Sequence, residues 1–567
     1  MKNLELAKIF NNLADILELQ EVRWKPQAYR KAAQSLESLT EDIAEIAEKG
    51  RLEDISGIGE HIAAKIQEYL KTGKIKVYEK LKKEVKVDIE GLNEIPGLGP
   101  QKIRLLYRKY GVKNIKDLQK LIKQKKIPHI PGFGKKTEEL LTEGIKFVQS
   151  RPQRFLYIQA YPLVQEIIND FKKLPEVKKI EVAGSFRRGK ETIGDLDFLV
   201  ISEQPAKVMQ HFTSLSDIKK IISKGTTRSS IRLKNNLQVD LRVVKEKEFG
   251  SALLYFIGNK QHNVALRKLA LKQGYTLSEY GLFKVKGKQW VAGKTEEEIY
   301  RKLGLQFIPP EIRGNRGELE AAAKNKLPQL ITKVNGFFHN HTNYSDGNNS
   351  LLEMAQKAEQ LKFKFISFND HFGPLGIYNP LDEKKLDIYL KEIEKVRKKV
   401  NLHIFSGIEI DILKDGTLPL SAKKLRDLDV VIAAVHSATR QPSAQMTKRI
   451  CTALDNYPLD ILAHPTDRLI QKRPALNLDL NKVFECAKKN GVFLEINCSP
   501  RRMDLNGENI RSAINAGCKF ALSTDAHDIS HLDFASLGLN LARRGWAEKK
   551  DVLNCWSLPK IEKALQR

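Results

Sequence analysis

At 567 residues the chain is too long for one hydrophobic core, so several domains of roughly 100 to 250 residues are expected. Lys and Arg total 97 against 69 Asp and Glu, a formal net charge of +28, which favours a polyanionic partner, either nucleic acid or an anionic membrane. No apolar stretch approaches the roughly 20 residues that span a bilayer, and the N-terminal MKNLELAKIFNNLADILELQ is an amphipathic helical pattern with acidic residues, so nucleic acid is the expected partner and no membrane is. In chain order, residues 1–150 read as short amphipathic helices punctuated by glycine pairs. From about 175 to 245, KKIEVAG, LDFLVIS and LQVDLRVV predict a small sheet in a mixed α/β region. Another mixed segment runs to about 310, and PPEIRGNRGELEAAAKNKLPQL, rich in Pro, Gly and charge, reads as a linker. Beyond it apolar strands alternate with helical segments to the end, the pattern of an α/β barrel or a doubly wound sheet.

Three N-terminal segments, ISGIGEHIAAKI, IPGLGPQKIRLL and IPGFGKKTEELL, share an apolar-x-Gly-apolar-Gly pattern followed by a helix. They resemble helix-hairpin-helix motifs. Gly57 and Gly59, Gly97 and Gly99, and Gly132 and Gly134 allow tight turns that leave backbone N–H groups at the next helix start free to face a DNA phosphate. Around the first copy, WKPQAYRKAAQSL and SGIGEHIAAKIQEYLKTGK resemble the small 5′-phosphate-binding and lyase domain of DNA polymerase beta, over most of residues 1–85. That resemblance implies that Lys25 and Tyr29 hold a 5′ phosphate and that Lys65 occupies the position of a Schiff-base nucleophile for 5′-deoxyribose phosphate. A family lysine one helical turn earlier is His61 here, which weakens the expected grip.

The most specific signal is GSFRRGKETIGDLDFLVIS, in which a strand enters a Gly-Ser turn and a second strand begins with two aspartates. Alternation puts Asp195 and Asp197 on one face of that strand, and Asp240 in LQVDLRVV belongs on a neighbouring one. Three carboxylates on one sheet face suit two divalent cations, Mg²⁺ or Mn²⁺. Gly184, Ser185, Arg188 and Gly194 are placed to hold the phosphates of a nucleotide. The constellation is that of the nucleotidyltransferases. Next, FGSALLYFIGNKQHNVALRKLALKQGYTLSEYGLF resembles the nucleotide-selection region of family X DNA polymerases. By that resemblance Tyr255, Phe256 and Gly258 pack against the dNTP sugar, while Asn263 and Arg267 contact the nascent base pair and template. The likeness covers residues 1–315 in the family's order.

All five cysteines lie after residue 450 and none forms a CxxC pair, so neither a disulfide framework nor a zinc finger is expected. Eight of twelve histidines lie beyond residue 335. His339 and His341 follow the apolar VNGFF and Asp346 lies in the loop after it; His371, Glu409, His436, His464, Asp525 and His527 close later strand-like runs. In a (β/α) barrel such strand ends open onto one face, so these nine residues are expected to bind metal. The segments HNHTNYSDG, NDHF, GIEID, AVHS, LAHPT and STDAH resemble the polymerase and histidinol phosphatase (PHP) family over residues 336–567. This implies a distorted (β/α)7 barrel with about three ions, Mn²⁺ or Zn²⁺, hydrolysing phosphoesters. Arg468, after HPTD, is a candidate for substrate phosphate or for a surface salt bridge.

The expected fold class is therefore multidomain α and α/β. Its parts are a 5′-phosphate-binding domain (1–85), a second helix-hairpin-helix domain (86–150), a nucleotidyltransferase palm (151–245), a thumb (246–315), a linker (316–335) and a PHP barrel (336–567). The expected protein is a monomeric, cytoplasmic, nucleoid-associated repair polymerase. It takes dNTPs and gapped or nicked DNA with a 5′ phosphate, and hydrolyses 3′ ends or abasic sites at the barrel. Two alternatives compete: a PHP phosphoesterase for a small phosphorylated substrate with a weak polymerase-like half, and a non-catalytic DNA scaffold. A metabolic phosphatase has no need of three helix-hairpin-helix motifs, and a scaffold would usually have lost one of Asp195, Asp197 and Asp240.

Overall fold

The computed structural model describes residues 2–20, 22, 24–38, 43–55, 57–85, 87–89, 92, 95, 98, 100–130, 133–134, 137–138, 141–142, 145, 154–374, 379–439, 441–470, 473 and 475–566. They fall into two units. The first comprises residues 1–153, 260–273 and 315–317, and the second 154–259, 274–314 and 318–567.

The first unit is helical. Helices Lys2–Leu19 and Lys25–Ser38 pack through Leu6, Phe10, Leu13, Ala32 and Leu36, all essentially inaccessible. Helix Glu60–Thr72 starts at the extended Gly59 and stops at Gly73, whose φ of 70° closes the last turn. Helix Ile115–Lys123 starts where the Asn114 side chain accepts from Asp117 N, and it buries Leu118 and Leu121. Among the described residues no strand lies between 2 and 145, as the sequence predicts.

The second unit carries the strands: β1 (Phe155–Leu156), β2 (Lys179–Val182), β3 (Thr192–Ile193), β4 (Asp195–Ile201), β5 (Ile218–Lys224), β6 (Arg228–Leu233), β7 (Gln238–Val244), β8 (Tyr275–Ser278), β9 (Gly281–Lys284) and β10 (Trp290–Ala292). Strands β2, β4, β7, β6 and β5 form a five-stranded sheet in that order, with β4 and β7 parallel, and β10, β9 and β8 form a smaller antiparallel one. Then come β11 (Gly336–Asn340), β12 (Phe365–Phe372), β13 (His403–Asp411), β14 (Val430–Ala434), β15 (Ile461–Leu462), β16 (Phe493–Asn497) and β17 (Phe520–Ala526). All seven pair in parallel and β17 returns to β11, closing a barrel. The (β/α)7 expectation is met. Its strands are buried along nearly their whole length on both faces, so they read as apolar runs that end in polar residues rather than as alternating patterns.

Two features depart from the sequence reading. The segment 316–335 holds a helix, Glu318–Ala323, with Glu318, Leu319 and Ala322 buried, and Ile331 enters the barrel core. Its ELEAAA run is a strong helix former that pattern reading passed over because of the flanking Gly and Pro. The expectation of no disulfide is corrected: Cys451 and Cys486 are joined. They sit on the neighbouring helices Ser443–Asn456 and Leu480–Lys489, a juxtaposition made by packing at a separation of 35 residues and invisible to local spacing.

Candidate active sites

In the palm sheet, strict alternation sends Leu196, Phe198, Val239, Leu241 and Val243 into one core. The opposite face receives the carboxylates. Asp197 stands directly beside Asp240 across the parallel β4–β7 pair, and Asp195 beside Gln238. Burial, then Asp195 and Asp240, push the Asp197 carboxyl up to about 7; Asp195, though exposed as a residue, is also raised, by partial desolvation of its carboxyl and then Asp240. Uncompensated negative charge of this kind is what a cation would relieve. Gln238 Nε2 donates to Asp240 Oδ2 at 3.0 Å, whereas buried Asp240 Oδ1 has no hydrogen-bond partner among the described residues.

Gly184 takes φ 61°, and a Cβ there would collide with Asp197 Oδ2, so only glycine lets the turn approach the carboxylates. Buried Ser185 Oγ and Arg188 Nε lack hydrogen-bond partners among the described residues. Gly194 lies against the Arg154 guanidinium. Tyr255 and Phe256 close the helix Phe249–Ile257, their rings 5.1 Å apart, and Tyr255 is 40% exposed. Gly258 follows with φ 66°. Asn263 and Arg267 lie on the helix Lys260–Lys272 of the first unit.

All nine predicted residues of the barrel converge at its C-terminal end. Three overlapping groups, each with ligand atoms within 4.8 Å of one another, are His341, Asp346, His371 and His527; His339, His341 and Glu409; and His371, Glu409 and His436. His464 Nε2 stands 3.2 Å from Glu409 Oε1, and Asp525 Oδ1 3.5 Å from His341 Nε2. Several contacts are short without hydrogen-bond geometry: His339 Nε2 is 3.3 Å and His371 Nδ1 2.8 Å from Glu409 Oε2, yet neither nitrogen has a hydrogen-bond partner among the described residues. Lone pairs that converge in this way, in a set of imidazoles and carboxylates, fit divalent ions. Burial, then His527 and His371, depress the His341 imidazole to about 3, leaving it neutral as a ligand must be.

The backbone is bent to this purpose. His339, His464 and Asp525 have φ of 60°, 23° and 50°, a conformation costing of order 1–3 kcal/mol in each non-glycine residue. Surrounding bonds hold it: His339 N donates to Asn369 Oδ1 at 3.1 Å and His464 N to Glu495 Oε2. Glu495 is a residue that sequence reading missed. Its Oε1 lies 2.6 Å from His339 Nδ1, an arrangement that fixes the tautomer and turns Nε2 toward the cluster. Arg502 was also missed: it pairs with Asp467 at 2.7 Å and Asp525 at 3.2 Å. Arg468 donates to the backbone oxygens of Arg502 and Met503 and stands 3.7 Å from Glu191, the salt-bridge alternative, although it is only 19% exposed.

In the first unit, Lys25, Tyr29, Gly57, Gly59, His61 and Lys65 line a cavity of about 710 Å³. Lys65 Nζ donates to His61 O at 2.9 Å and stands 5.9 Å above the Tyr29 ring. Burial and the Lys25 ammonium lower its pKa. Trp24, beside Lys25, is 87% exposed, a placement sequence reading did not single out. Gly134 is described and exposed; Gly97, Gly99 and Gly132 lie outside the described residues.

Comparison with known proteins gives five matches along the chain. Residues 1–75 match a helix-hairpin-helix domain, 89–146 a SAM-like helix-hairpin-helix tandem, 164–258 a nucleotidyltransferase domain, 252–314 the DNA polymerase beta thumb and 338–499 the PHP domain. The chain is 35% identical to the DNA polymerase/3′-5′ exonuclease PolX of Bacillus subtilis (strain 168), over 100% of both chains. It is 25% identical to DNA polymerase lambda of Rattus norvegicus, over 55% of this chain and 56% of that one. A probable phosphatase of Thermoanaerobacter sp. (strain X514) is 32% identical over 33% of this chain and 77% of its own. With a relative matched from end to end and the domain matches following the same order, the chain belongs to the bacterial family X DNA polymerases that carry a C-terminal PHP domain.

Proposed function

We propose that this chain fills short gaps during DNA repair by nucleotidyl transfer at the palm and removes 3′ ends by phosphodiester hydrolysis at the barrel. One observation carries the reading: two separate constellations, three carboxylates on a sheet face and nine ligands at strand ends, stand in one chain whose end-to-end relative is a DNA polymerase/3′-5′ exonuclease. Asp195, Asp197 and Asp240 would hold Mg²⁺ or Mn²⁺, hard ions suited to oxygen. The imidazole-rich barrel would hold about three Mn²⁺ or Zn²⁺ ions on His339, His341, Asp346, His371, Glu409, His436, His464, Asp525 and His527. Divalent cations, when bound, supply Lewis acidity and neutralise phosphoryl charge.

The rest is done by the chain. Ser185 Oγ, Arg188 and the backbone at Gly184 and Gly194 hold the triphosphate, and Asp240 Oδ1, which has no hydrogen-bond partner among the described residues, accepts the proton of the primer 3′ hydroxyl. Tyr255, Phe256 and Gly258 crowd the 2′ position of the sugar, and Asn263 and Arg267 contact the nascent pair and template. Lys25 and Tyr29 anchor a 5′ phosphate, Trp24 stacks on an unpaired base, and the turn at Gly57–Gly59 grips the backbone, a role the sequence pattern also assigns to Gly97, Gly99, Gly132 and Gly134. Lys65, with its proton affinity already lowered, attacks the C1′ aldehyde of a 5′-deoxyribose phosphate as the neutral amine. Arg502, beside Asp525, offsets the charge of a phosphodiester drawn to the barrel.

On this reading the protein is a cytoplasmic, nucleoid-associated monomer, with domains bounded at 85, 150, 245, 315 and 335. The test is incubation with a one-nucleotide-gapped, 5′-labelled primer, dNTPs and Mg²⁺ or Mn²⁺. Both extension and shortening are expected. Shortening alone would leave a phosphoesterase with a DNA-binding half, and neither product would leave a scaffold.

A further inference from the structure

The turn joining the two palm motifs, residues 188–191, is held from the barrel side as well as from the palm. Gly189 takes φ 60°, and a Cβ built on it would stand 3.1 Å from Asn540 Cβ, so the barrel helix Ala535–Arg544 packs directly on this glycine. At the end of that helix, Arg544 Nη1 donates to Gly189 O at 3.2 Å and pairs with Glu191 Oε2 at 2.8 Å. The two side chains are only 8% and 16% exposed. Glu191 Oε1 lies 3.7 Å from Arg468, whose guanidinium is tied to the backbone of Arg502 and Met503.

This joint lies between functional parts. Arg188 immediately precedes Gly189, and Glu191 leads through β3 to Asp195. A desolvated carboxylate fixed by two guanidiniums is rigid, and losing one of them would leave its charge poorly compensated and shift the turn. The charge balance also matters. Arg544 and Arg468 both reach Glu191, and Arg544 also lies close to Arg188, which faces Asp197 and Asp195. After burial, Arg544 is the main influence drawing the Arg188 guanidinium down to about 10, which places the two cations within each other's field.

We propose that Arg544 of the barrel domain is a positioning residue for nucleotidyl transfer: acting through Gly189 and Glu191, it sets the turn that presents Arg188 and leads to Asp195. Nucleotide affinity at the palm thus depends on a residue of the hydrolase domain. The inference rests on the polymerase reading of the palm.

The test uses the full-length protein and gapped DNA. KM for dNTP and kcat are measured for wild type, Arg544→Ala, Arg544→Lys, Glu191→Gln and the Arg544→Ala/Glu191→Gln double variant, with hydrolysis of a single-stranded 3′ end and the thermal unfolding midpoint recorded on the same preparations. Arg544→Ala is expected to raise KM for dNTP by at least about fivefold, with kcat less affected and 3′-end hydrolysis within about twofold of wild type. Arg544→Lys should recover part of the loss, and the double variant should be no worse than the poorer single one. A wild-type KM in Arg544→Ala, or additive penalties in the double variant, overturns the proposal. Should Arg544→Ala fail to unfold cooperatively, Glu191→Gln carries the same test, and an unchanged KM there overturns it. Wild-type protein that fills no gap would instead refute the polymerase reading.

Discussion

The palm and the barrel both gather acidic residues for cations, yet they are built to opposite specifications. In the barrel, His339, His341, Glu409 and His464 are buried, and further polar groups hold the ligands: Glu495 and Asn369 on His339, Asp411 on the His436 backbone, Asn497 on Asp525. In the palm, Asp195 is exposed, Asp197 and Asp240 are half-buried, and the side-chain support found for the triad is Gln238 on Asp240. The barrel is a buried cage whose side chains hold one another. The palm is an open sheet face that primer and nucleotide must complete. A preorganised site loses function chiefly through its supports, while an open site loses most of it through the atoms that meet the substrate.

Breaking the palm should have the largest effect. Asp240→Ala is expected to cut gap filling on the order of 10²–10³-fold or more, with DNA binding and 3′-end hydrolysis retained, measured by single-turnover extension and by gel shift. Wild-type extension would remove Asp240 from the triad. The supports of the barrel come second: Glu495→Gln should weaken metal affinity by roughly 10–100-fold, so hydrolysis falls at low Mn²⁺ and returns at high Mn²⁺ while extension stays constant. A Mn²⁺ titration indistinguishable from wild type would show that His339 needs no orienting carboxylate.

Two finer tests follow. Tyr255→Ala should relax discrimination of dCTP against CTP by roughly tenfold, and an unchanged ratio would reject the steric role. The smallest effect concerns pH. Burial and Lys25 hold the Lys65 pKa below its usual value of 10.5, so its neutral amine becomes populated at lower pH than that of an ordinary lysine. Borohydride trapping on a 5′-deoxyribose phosphate should rise with pH along a curve displaced to the acid side, and Lys25→Ala should move that curve back up. Trapping that persists in Lys65→Ala would assign the adduct to another amine.

Much of this was legible in the sequence because period and chemistry coincide. Alternation alone put Asp195 and Asp197 on one face, and the parallel pairing of β4 and β7 supplied the neighbour, Asp240. The convergence of the nine barrel residues was legible because each closes or follows an apolar run, and parallel strands bring their C-terminal ends together. Glu495 carried the same signal, on β16 in FLEIN, but a carboxylate that orients a histidine looks in sequence like one that binds a metal or merely ends a strand. Arg502, rather than the expected Arg468, reaches Asp525, because the direction of a guanidinium depends on backbone geometry that local spacing does not reveal. The disulfide and the Arg544–Glu191 joint were beyond reach for a common reason: each links residues whose proximity arises only from packing between elements far apart in the chain.

The central claim is that two chemically independent active sites share one chain. It is tested most directly on a single 5′-labelled primer at a one-nucleotide gap, with dNTPs and Mn²⁺, comparing His339→Ala/His341→Ala with Asp195→Ala/Asp197→Ala. The histidine variant is expected to extend the primer without shortening it, and the aspartate variant to shorten it without extending it. A histidine variant that shortens the primer as fast as wild type would contradict the account, because the barrel would then not be the nuclease.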